Sequence, residues 1–193
     1  MLIDLRRSVV ALAVFTVLVG LAYPLLVFGI GQAAFRGAAD GSLVRRDDRV
    51  VGSGLIGQSF DAPGYFWGRP SAAGQDGYDP GASGASNLGP TSQKLADTVQ
   101  ERVDALLEAN PGKTAADIPA ELVTASGSGL DPDISPAAAD FQVDRVARAR
   151  SLDPERVREL VRAHTKGREL GFLGEPRVNV LALNLALDTM TSR

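Results

Sequence analysis

Apolar residues are concentrated in one uninterrupted block near the N-terminus. The block runs from Ser8 to Ile30 and contains no charged side chain. At about 1.5 Å per residue, a helix of this length crosses a hydrocarbon core of roughly 30 Å. A cleaved signal peptide usually has a shorter apolar core of about 7–15 residues, although Gly31-Gln32-Ala33 resembles a cleavage site. A soluble core helix is rarely apolar on every face, so the pattern predicts a transmembrane helix over residues 8–30.

The orientation of this helix follows from the charges closest to its ends. Arg6 and Arg7 immediately precede the apolar block, which favours a cytoplasmic N-terminus. The arginines from Arg36 to Arg49 reduce the difference in positive charge between the two sides of the block. A large domain that follows a membrane helix is, however, translocated largely regardless of its charge. We therefore predict that residues 1–7 are cytoplasmic and that residues 31–193 form an extracytoplasmic domain.

Three residues of the apolar block predict a contact with other membrane helices. Thr16 and Gly20 form a small-xxx-small pair, and Pro24 follows one turn later. Small side chains let a second helix approach closely, and Pro24 leaves one backbone carbonyl in need of another partner. A lone anchor that tolerates a kink is the alternative interpretation.

The residues after the block predict a small α+β domain of short elements. Apolar runs on both sides of Asp47-Asp48 predict a hairpin. Apolar residues then recur every three or four positions from Thr91 to the helix stop at Asn110-Pro111-Gly112, which predicts a helix. A short strand is predicted at residues 122–124.

The C-terminal third predicts three further helices. Ser135-Pro136 and Asp153-Pro154 each combine a capping side chain with a first-turn proline. The helices that they begin are predicted to end near Arg150 and Gly167. The run VNVLALNLALD alternates like a strand, but its Ala and Leu content and a capping Asn179 favour a helix.

Residues 60–90 have neither a helical nor a strand period and are rich in Gly, Pro and Ser. Disordered segments seldom contain clustered aromatic residues, because these are costly to leave in water. We therefore predict an ordered, irregular loop. The residues predicted to shape this loop or to face a partner are Tyr65, Phe66, Trp67, Arg69 and Asn87.

The composition narrows the chemistry that the chain can perform. The net charge of −3 and the pI near 5.2 give no reason to expect binding to nucleic acid, which usually requires a basic face. The sequence contains no cysteine, which removes disulfides, thiol nucleophiles and Cys-based metal sites. His164 is the single histidine, so multi-histidine metal sites are excluded as well.

Motifs for catalysis or phosphate binding are incomplete. The PGKT segment ends like a Walker A loop, but its first glycine is replaced by Leu107 and it follows a helix. No serine has glycine at both minus two and plus two, as a nucleophile elbow requires. Asp131 and Asp133 alone fall far short of a calcium loop. The Ser- and Gly-rich stretch Val123–Pro136 is compatible with a phosphate cradle or with a simple connection.

Short motifs along nearly the whole chain resemble the C subunit of the Kdp-type potassium-transporting ATPase. Any one of them is weak, and their order and spacing carry the resemblance. They include GLAYPLLV in the apolar block, GSGLIGQ from Gly52, YFWGRPSA from Tyr65, SNLGPTS from Ser86, LVTASGSGLDPDISP from Leu122 and GFLGEPRVNVL from Gly171.

The resemblance implies a non-catalytic accessory subunit of the bacterial plasma membrane. It implies assembly with a potassium-channel-like A subunit, a P-type ATPase B subunit and a very small F subunit. ATP and potassium would act in those partners, so this chain would need no cofactor of its own. The family is also described as a catalytic chaperone for ATP binding, which implies nucleotide contacts at Ser126, Gly127, Ser128 and Gly129.

The implied nucleotide contacts conflict with the predicted topology, because an external domain cannot meet cytoplasmic ATP. We expect instead that the domain acts on the outer face of the channel-like subunit, stabilising the complex or shaping ion access. Two alternatives stay open. One is a stand-alone, membrane-anchored ligand-binding domain or hydrolase, and the other is a cytoplasm-facing nucleotide-binding chaperone with inverted topology.

Overall fold

The apolar block forms one continuous helical segment from Leu2 to Ala34 in the computed structural model, which describes Leu2 to Thr191. Helices α1 (Leu2–Val17) and α2 (Tyr23–Ala34) are joined by a single π-helical turn, Leu18–Ala22. By length and composition, this segment is able to cross a membrane. It extends beyond the predicted span at both ends.

The π-helical turn has a local cause in Pro24. In a regular α-helix, the proline ring would clash with the carbonyl group of Gly20, and proline has no N–H to donate. The structure instead has the wider turn, in which the N–H of Tyr23 donates to the carbonyl of Leu18, five residues back. Thr16 and Gly20 lie on the exposed surface of this helix.

The chain divides after Val51 into two units, and the division falls within the second strand of the predicted hairpin. After the short helix α3 (Arg36–Ala39), strands β1 (Leu43–Arg46) and β2 (Arg49–Ser53) form a two-stranded sheet. Asp47 and Asp48 both adopt positive φ, at 49° and 63°. This is the conformation of a tight turn that matches strand twist, and Asp tolerates it.

The second unit, from Gly52 onward, packs helices against a small antiparallel sheet. Its helices are α4 (Gln93–Ala109), α5 (Pro136–Arg150), α6 (Pro154–His164) and α7 (Val180–Thr191). Its sheet has the order β3-β5-β4, with strands β3 (Asp133–Ile134), β4 (Thr165–Lys166) and β5 (Arg177–Asn179). Completely buried core side chains include Val143, Val146, Val157, Val178, Leu183 and Leu187.

The predicted helices are confirmed, together with the caps predicted for three of them. In each cap, a side-chain oxygen accepts a hydrogen bond from a backbone N–H of the first turn, which satisfies one orphan donor. Helix α6 ends three residues earlier than predicted, because strand β4 begins directly after it. The three predicted capping residues are Ser135, Asp153 and Asn179, and Ser92 at the start of α4 is a further cap that was not predicted from the sequence.

The strand predicted at residues 122–124 is wrong. The chain there forms a 3₁₀ turn, Ala120–Leu122, followed by irregular structure. Leu122 and Val123 are apolar because both side chains are buried in the core. A short apolar run does not distinguish a strand from a buried turn. The strand of this region lies further along the chain, at β3.

Candidate functional site

Residues 60–90, called the aromatic loop below, are fixed by polar side chains of α5 and α7. The loop contains a single 3₁₀ turn, Pro80–Ala82, and no strand or α-helix. Gln142 of α5 accepts a hydrogen bond from the N–H of Trp67 at 2.8 Å and donates to its carbonyl at 3.1 Å. Asn184 of α7 makes the same pair of bonds with Phe66. The two amides therefore act as substitutes for a neighbouring strand.

Arg145 provides a second fixation point beneath the same loop. Its guanidinium donates to the carbonyls of Pro63 and Tyr65 at 2.7 and 2.9 Å. The charge also lies 3.9 Å from the centre of the Trp67 ring, a cation–π contact. The side chain is buried, and burial lowers the pKa of Arg145 to about 10.

The three aromatic residues of the YFW segment thus contact the domain's own helices. Phe66 is completely buried in the core. The Tyr65 hydroxyl donates to Asp188 at 3.1 Å, and its ring lies under the Arg150 guanidinium. Asn87 differs from them, because it is exposed and adopts a positive φ of 50°.

A cavity of about 310 Å³ lies between the aromatic loop and helix α4. Phe60 and Tyr78 contribute aromatic walls, and Arg69 and Arg102 contribute positive charge. Two of its polar side chains make contacts within the domain: Arg69 pairs with Asp131 at 3.0 Å, and the Tyr78 hydroxyl donates to the Arg69 carbonyl. The Nε atom of Arg69 is buried without a hydrogen-bond partner among the described residues. Burial raises the pKa of Tyr78 to about 12, with the nearby Asp131 charge adding to the effect.

Residues 126–129, called the Ser-Gly turn, dock against the second half of the aromatic loop. The carbonyl of Ser128 accepts hydrogen bonds from the N–H of Gly84 and the hydroxyl of Ser83, at 2.8 and 3.0 Å. The carbonyl of Gly129 accepts a 2.6 Å hydrogen bond from the hydroxyl of Ser71. The turn and the loop therefore form one connected hydrogen-bonded unit.

The two glycines of this turn, Gly127 and Gly129, differ in the space that surrounds them. Gly129 has a positive φ of 69°, and a Cβ added there would lie 2.7 Å from Ala73. A Cβ on Gly127 would meet nothing within 4 Å. Ser126 is buried, whereas Gly127 and Ser128 are exposed. Only part of the turn is therefore open to a ligand or a partner.

The acidic residues that follow the turn are engaged in ion pairs. Asp131 contacts Arg69, and Asp133 lies 3.3 Å from Arg177. Between Leu2 and Thr191, no group of three or more potential metal ligands is brought together. His164 lies at the end of α6 with its Nδ1 atom 2.9 Å from the carbonyl of Leu160.

Sequence reasoning missed the three polar residues that fix the aromatic loop. Gln142 and Arg145 are three residues apart on α5, and Asn184 lies among the leucines of α7. A signal was present, because long polar side chains on the core-facing side of a helix are uncommon and need buried partners. Gln142 bonds to a residue 75 positions away in the sequence, and Asn184 to one 118 positions away. The identity of these partners could therefore not be predicted.

Comparisons with known proteins match nearly the full length of the chain. Residues 5–189 match the family described as "KdpC: K+-transporting ATPase, c chain". The chain is 62% identical to a potassium-transporting ATPase KdpC subunit from Sorangium cellulosum, covering 97% of this chain and 98% of that protein. It is 57% identical to one from Variovorax paradoxus, covering 95% of each. For one from Gemmatimonas aurantiaca, the identity is 56%, over 100% of this chain and 96% of that protein.

Proposed function

The chain belongs to the KdpC family, the c chains of K+-transporting ATPases, and from this premise we propose that it is a non-catalytic accessory subunit. The observation that carries the proposal is the family match over residues 5–189. In this proposal, the partners are the channel-like A subunit, the P-type ATPase B subunit and the small F subunit. ATP hydrolysis and potassium selection take place in those partners.

The internal bonding of the domain supports a role in binding rather than catalysis. Two polar side chains of the cavity make contacts that hold the aromatic loop: Arg69 pairs with Asp131, and the Tyr78 hydroxyl donates to the Arg69 backbone. A general base or a nucleophile would have to be within reach of a substrate and of its own activating partner. These contacts stabilise a shaped surface instead.

The proposed topology has the N-terminus in the cytoplasm and the second unit outside. Arg6 and Arg7 lie at the start of the helical segment, and the helix is long enough to cross once. The domain then meets the outer face of the channel-like subunit, where it stabilises the complex or shapes ion access.

With the domain outside, residues 126–129 have no access to cytoplasmic ATP. Their carbonyls, the buried Ser126 and the tightly packed Gly129 join the turn to the aromatic loop. These contacts explain why the turn is rich in Ser and Gly, and the explanation needs no bound nucleotide. The exposed Gly127 and Ser128 then form part of the surface presented to a partner.

Co-purification tests this function. A tagged chain extracted from membranes in mild detergent should bring the P-type ATPase and the channel-like subunit with it in a fixed ratio. A stand-alone hydrolase or binding domain would be recovered without them, and that result would overturn the proposal. Replacing Gly20 by Leu should reduce the recovered partners, because a large side chain keeps a second helix away. Val19→Leu, one residue away on the same helix, is the matched control.

A further inference from the structure

The chain folds back on itself directly after the apolar helical segment. The helix ends at Ala34, and Phe35 leaves it with φ and ψ of −135° and 37°. In a continuous α-helix, residues eight positions apart are separated by about 12 Å along the axis. Here a Cβ added to Gly31 would lie only 3.9 Å from the Cβ of Ala39. Helix α3 therefore returns alongside the last turn of the apolar helix.

Hydrogen bonds fix this fold-back. The side chain of Gln32, in the last turn of the apolar helix, donates to Asp40 at 3.1 Å. Helix α3 then ends in a Schellman cap, in which the N–H of Ser42 donates to the carbonyl of Gly37 at 2.8 Å. Gly41 supplies the left-handed residue of this cap, with a φ of 89°. The fold-back is thus a defined structure at the end of the helix.

The length of the apolar block places the fold-back at the depth of lipid headgroups. From Ser8 to Ile30 the block is about 34 Å long, enough to cross a hydrocarbon core of roughly 30 Å. Phe35 lies roughly 7 Å beyond Ile30 along the axis. The headgroup layer on each side of the core is about 5–8 Å thick. Because α3 folds back, Ala39 also stays within this layer.

Residues 35–50, called the exit segment below, combine exposed apolar side chains with arginines. The exposed fractions of Phe35, Leu43 and Val50 are 65%, 50% and 48%. Apolar side chains that enter the lipid, together with arginines that stay in the headgroup layer, are typical of segments that lie in a membrane surface. The arginines of the exit segment are Arg36, Arg45, Arg46 and Arg49.

The charges of the exit segment fit the phosphate group that all phospholipids carry. Four arginines and three aspartates give it a net charge of only +1, so we expect no strong preference for anionic lipids. Arg36 pairs with Asp40 at 3.6 Å, and Arg45 donates to the carbonyl of Asp48 at 3.5 Å. A guanidinium has several N–H donors, so these contacts leave others for a lipid phosphate.

We propose that the exit segment lies in the phospholipid headgroup layer, with Phe35 at the edge of the acyl chains and its arginines at lipid phosphates. The segment follows directly from a helix whose side chains are exposed from Leu2 to Ile30, and lipid is the solvent of such a helix. The inference rests on the part of the proposed function in which this helix crosses the membrane. It adds a lipid contact that fixes the depth at which the helix ends.

Spin labels at single cysteines test the depth of the exit segment. The chain has no cysteine, so Phe35→Cys, Ala38→Cys, Leu18→Cys and Gln100→Cys can each carry a nitroxide in the full chain, reconstituted in phosphatidylcholine vesicles. Accessibility to oxygen, compared with accessibility to a water-soluble nickel complex, reports depth. Positions 35 and 38 should lie at headgroup depth, within about 3 Å of each other, between the lipid-like position 18 and the water-like position 100. A helix that continued without folding back would place position 38 about 4.5 Å further out than position 35.

The control positions separate this inference from the proposed function. Water-like values at positions 35 and 38, with a lipid-like value at position 18, would overturn this inference alone. A position 38 that lies further out than position 35 would do the same, because the fold-back would then be wrong. A water-like value at position 18 would show that the helix does not cross the membrane, and the proposed function would fail with it.

Photo-cross-linking in membranes that contain the whole ATPase tests for a protein partner instead. With p-benzoylphenylalanine in place of Phe35, the expected product is an adduct with phospholipid, detected by the mass of the chain. The same group in place of Gln100, which is exposed on α4, should give no lipid adduct. A cross-link from position 35 mainly to another subunit, or equal lipid adducts at both positions, would overturn the proposal.

Discussion

The side chain of Asn184 pairs with the backbone of Phe66 as a neighbouring strand would. Its Oδ1 accepts the N–H of Phe66 at 2.8 Å, and its Nδ2 donates to the carbonyl at 2.9 Å. Both residues are almost completely inaccessible to solvent. This pair ties the aromatic loop to α7, as Gln142 and Arg145 tie it to α5.

Replacing Asn184 by Leu should destabilise the domain strongly. The substitution leaves a buried N–H and a buried carbonyl unpaired, which costs about 2 to 4 kcal/mol. The free energy of unfolding of the detergent-solubilised chain measures this cost. Gln100→Ala, an exposed position on α4, should change the free energy by less than about 0.5 kcal/mol. Equal values for the two variants would contradict the role assigned to Asn184.

Two alanine substitutions in the Ser-Gly turn should differ in their effect on the stability of the domain. Gly129→Ala forces a Cβ to within 2.7 Å of Ala73 at a positive φ, and should cost about 2 kcal/mol or more. Gly127→Ala meets nothing within 4 Å, and should leave the melting temperature nearly unchanged. A larger effect at position 127 than at position 129 would show that the packing described for this turn is wrong.

Arg145→Lys should loosen the aromatic loop around Trp67. A lysine cannot reproduce the planar guanidinium that donates to Pro63 and Tyr65 while it stacks on the Trp67 ring. Trp67 is the only tryptophan of the chain, so its emission should shift to the red and acrylamide quenching should increase. The exposed Arg148 of the same helix provides the control: Arg148→Lys should leave the emission unchanged.

The raised pKa of Tyr78 predicts that the free energy of unfolding depends on pH at alkaline values. Because burial raises the pKa of Tyr78 from 10.0 to about 12, the folded chain keeps its phenol neutral after the unfolded chain has lost the proton. The unfolded state therefore binds fewer protons between about pH 10 and 12, and the free energy of unfolding falls as pH rises through this window.

Absorbance of tyrosinate at alkaline pH measures this effect. One tyrosine of the folded chain should ionise only at about pH 12, and this component should be missing in Tyr78→Phe. The variant loses one hydrogen bond, at about 1 kcal/mol, but its stability should depend less on pH in the same window. If the late component persists in Tyr78→Phe, it belongs to another residue.

Much of the fold could be predicted because it depends on residues close together in sequence. The two aspartates of the hairpin, the capping Ser135 with Pro136, and the capping Asn179 act on backbone groups within a few positions. Local chemistry of this kind is readable from a single sequence. The apolar block was readable for the same reason, since its length and composition suffice.

The arrangement of the candidate site could not be predicted because it depends on distant contacts. Asn184 and Phe66 are 118 residues apart, and no local pattern indicates that they meet. The strand predicted at residues 122–124 failed for a related reason, since burial of Leu122 and Val123 was mistaken for a strand pattern.

The topology proposed above makes the claim that the second unit lies outside the membrane. The chain has no cysteine, so single cysteines at Ser128, Gln100 and Asp4 can be labelled in intact cells with a membrane-impermeant maleimide. We predict labelling at position 100 in intact cells, labelling at position 128 unless a docked partner covers it, and labelling at position 4 only after lysis. Labelling of position 4 in intact cells, with both domain positions protected until lysis, would contradict the claim.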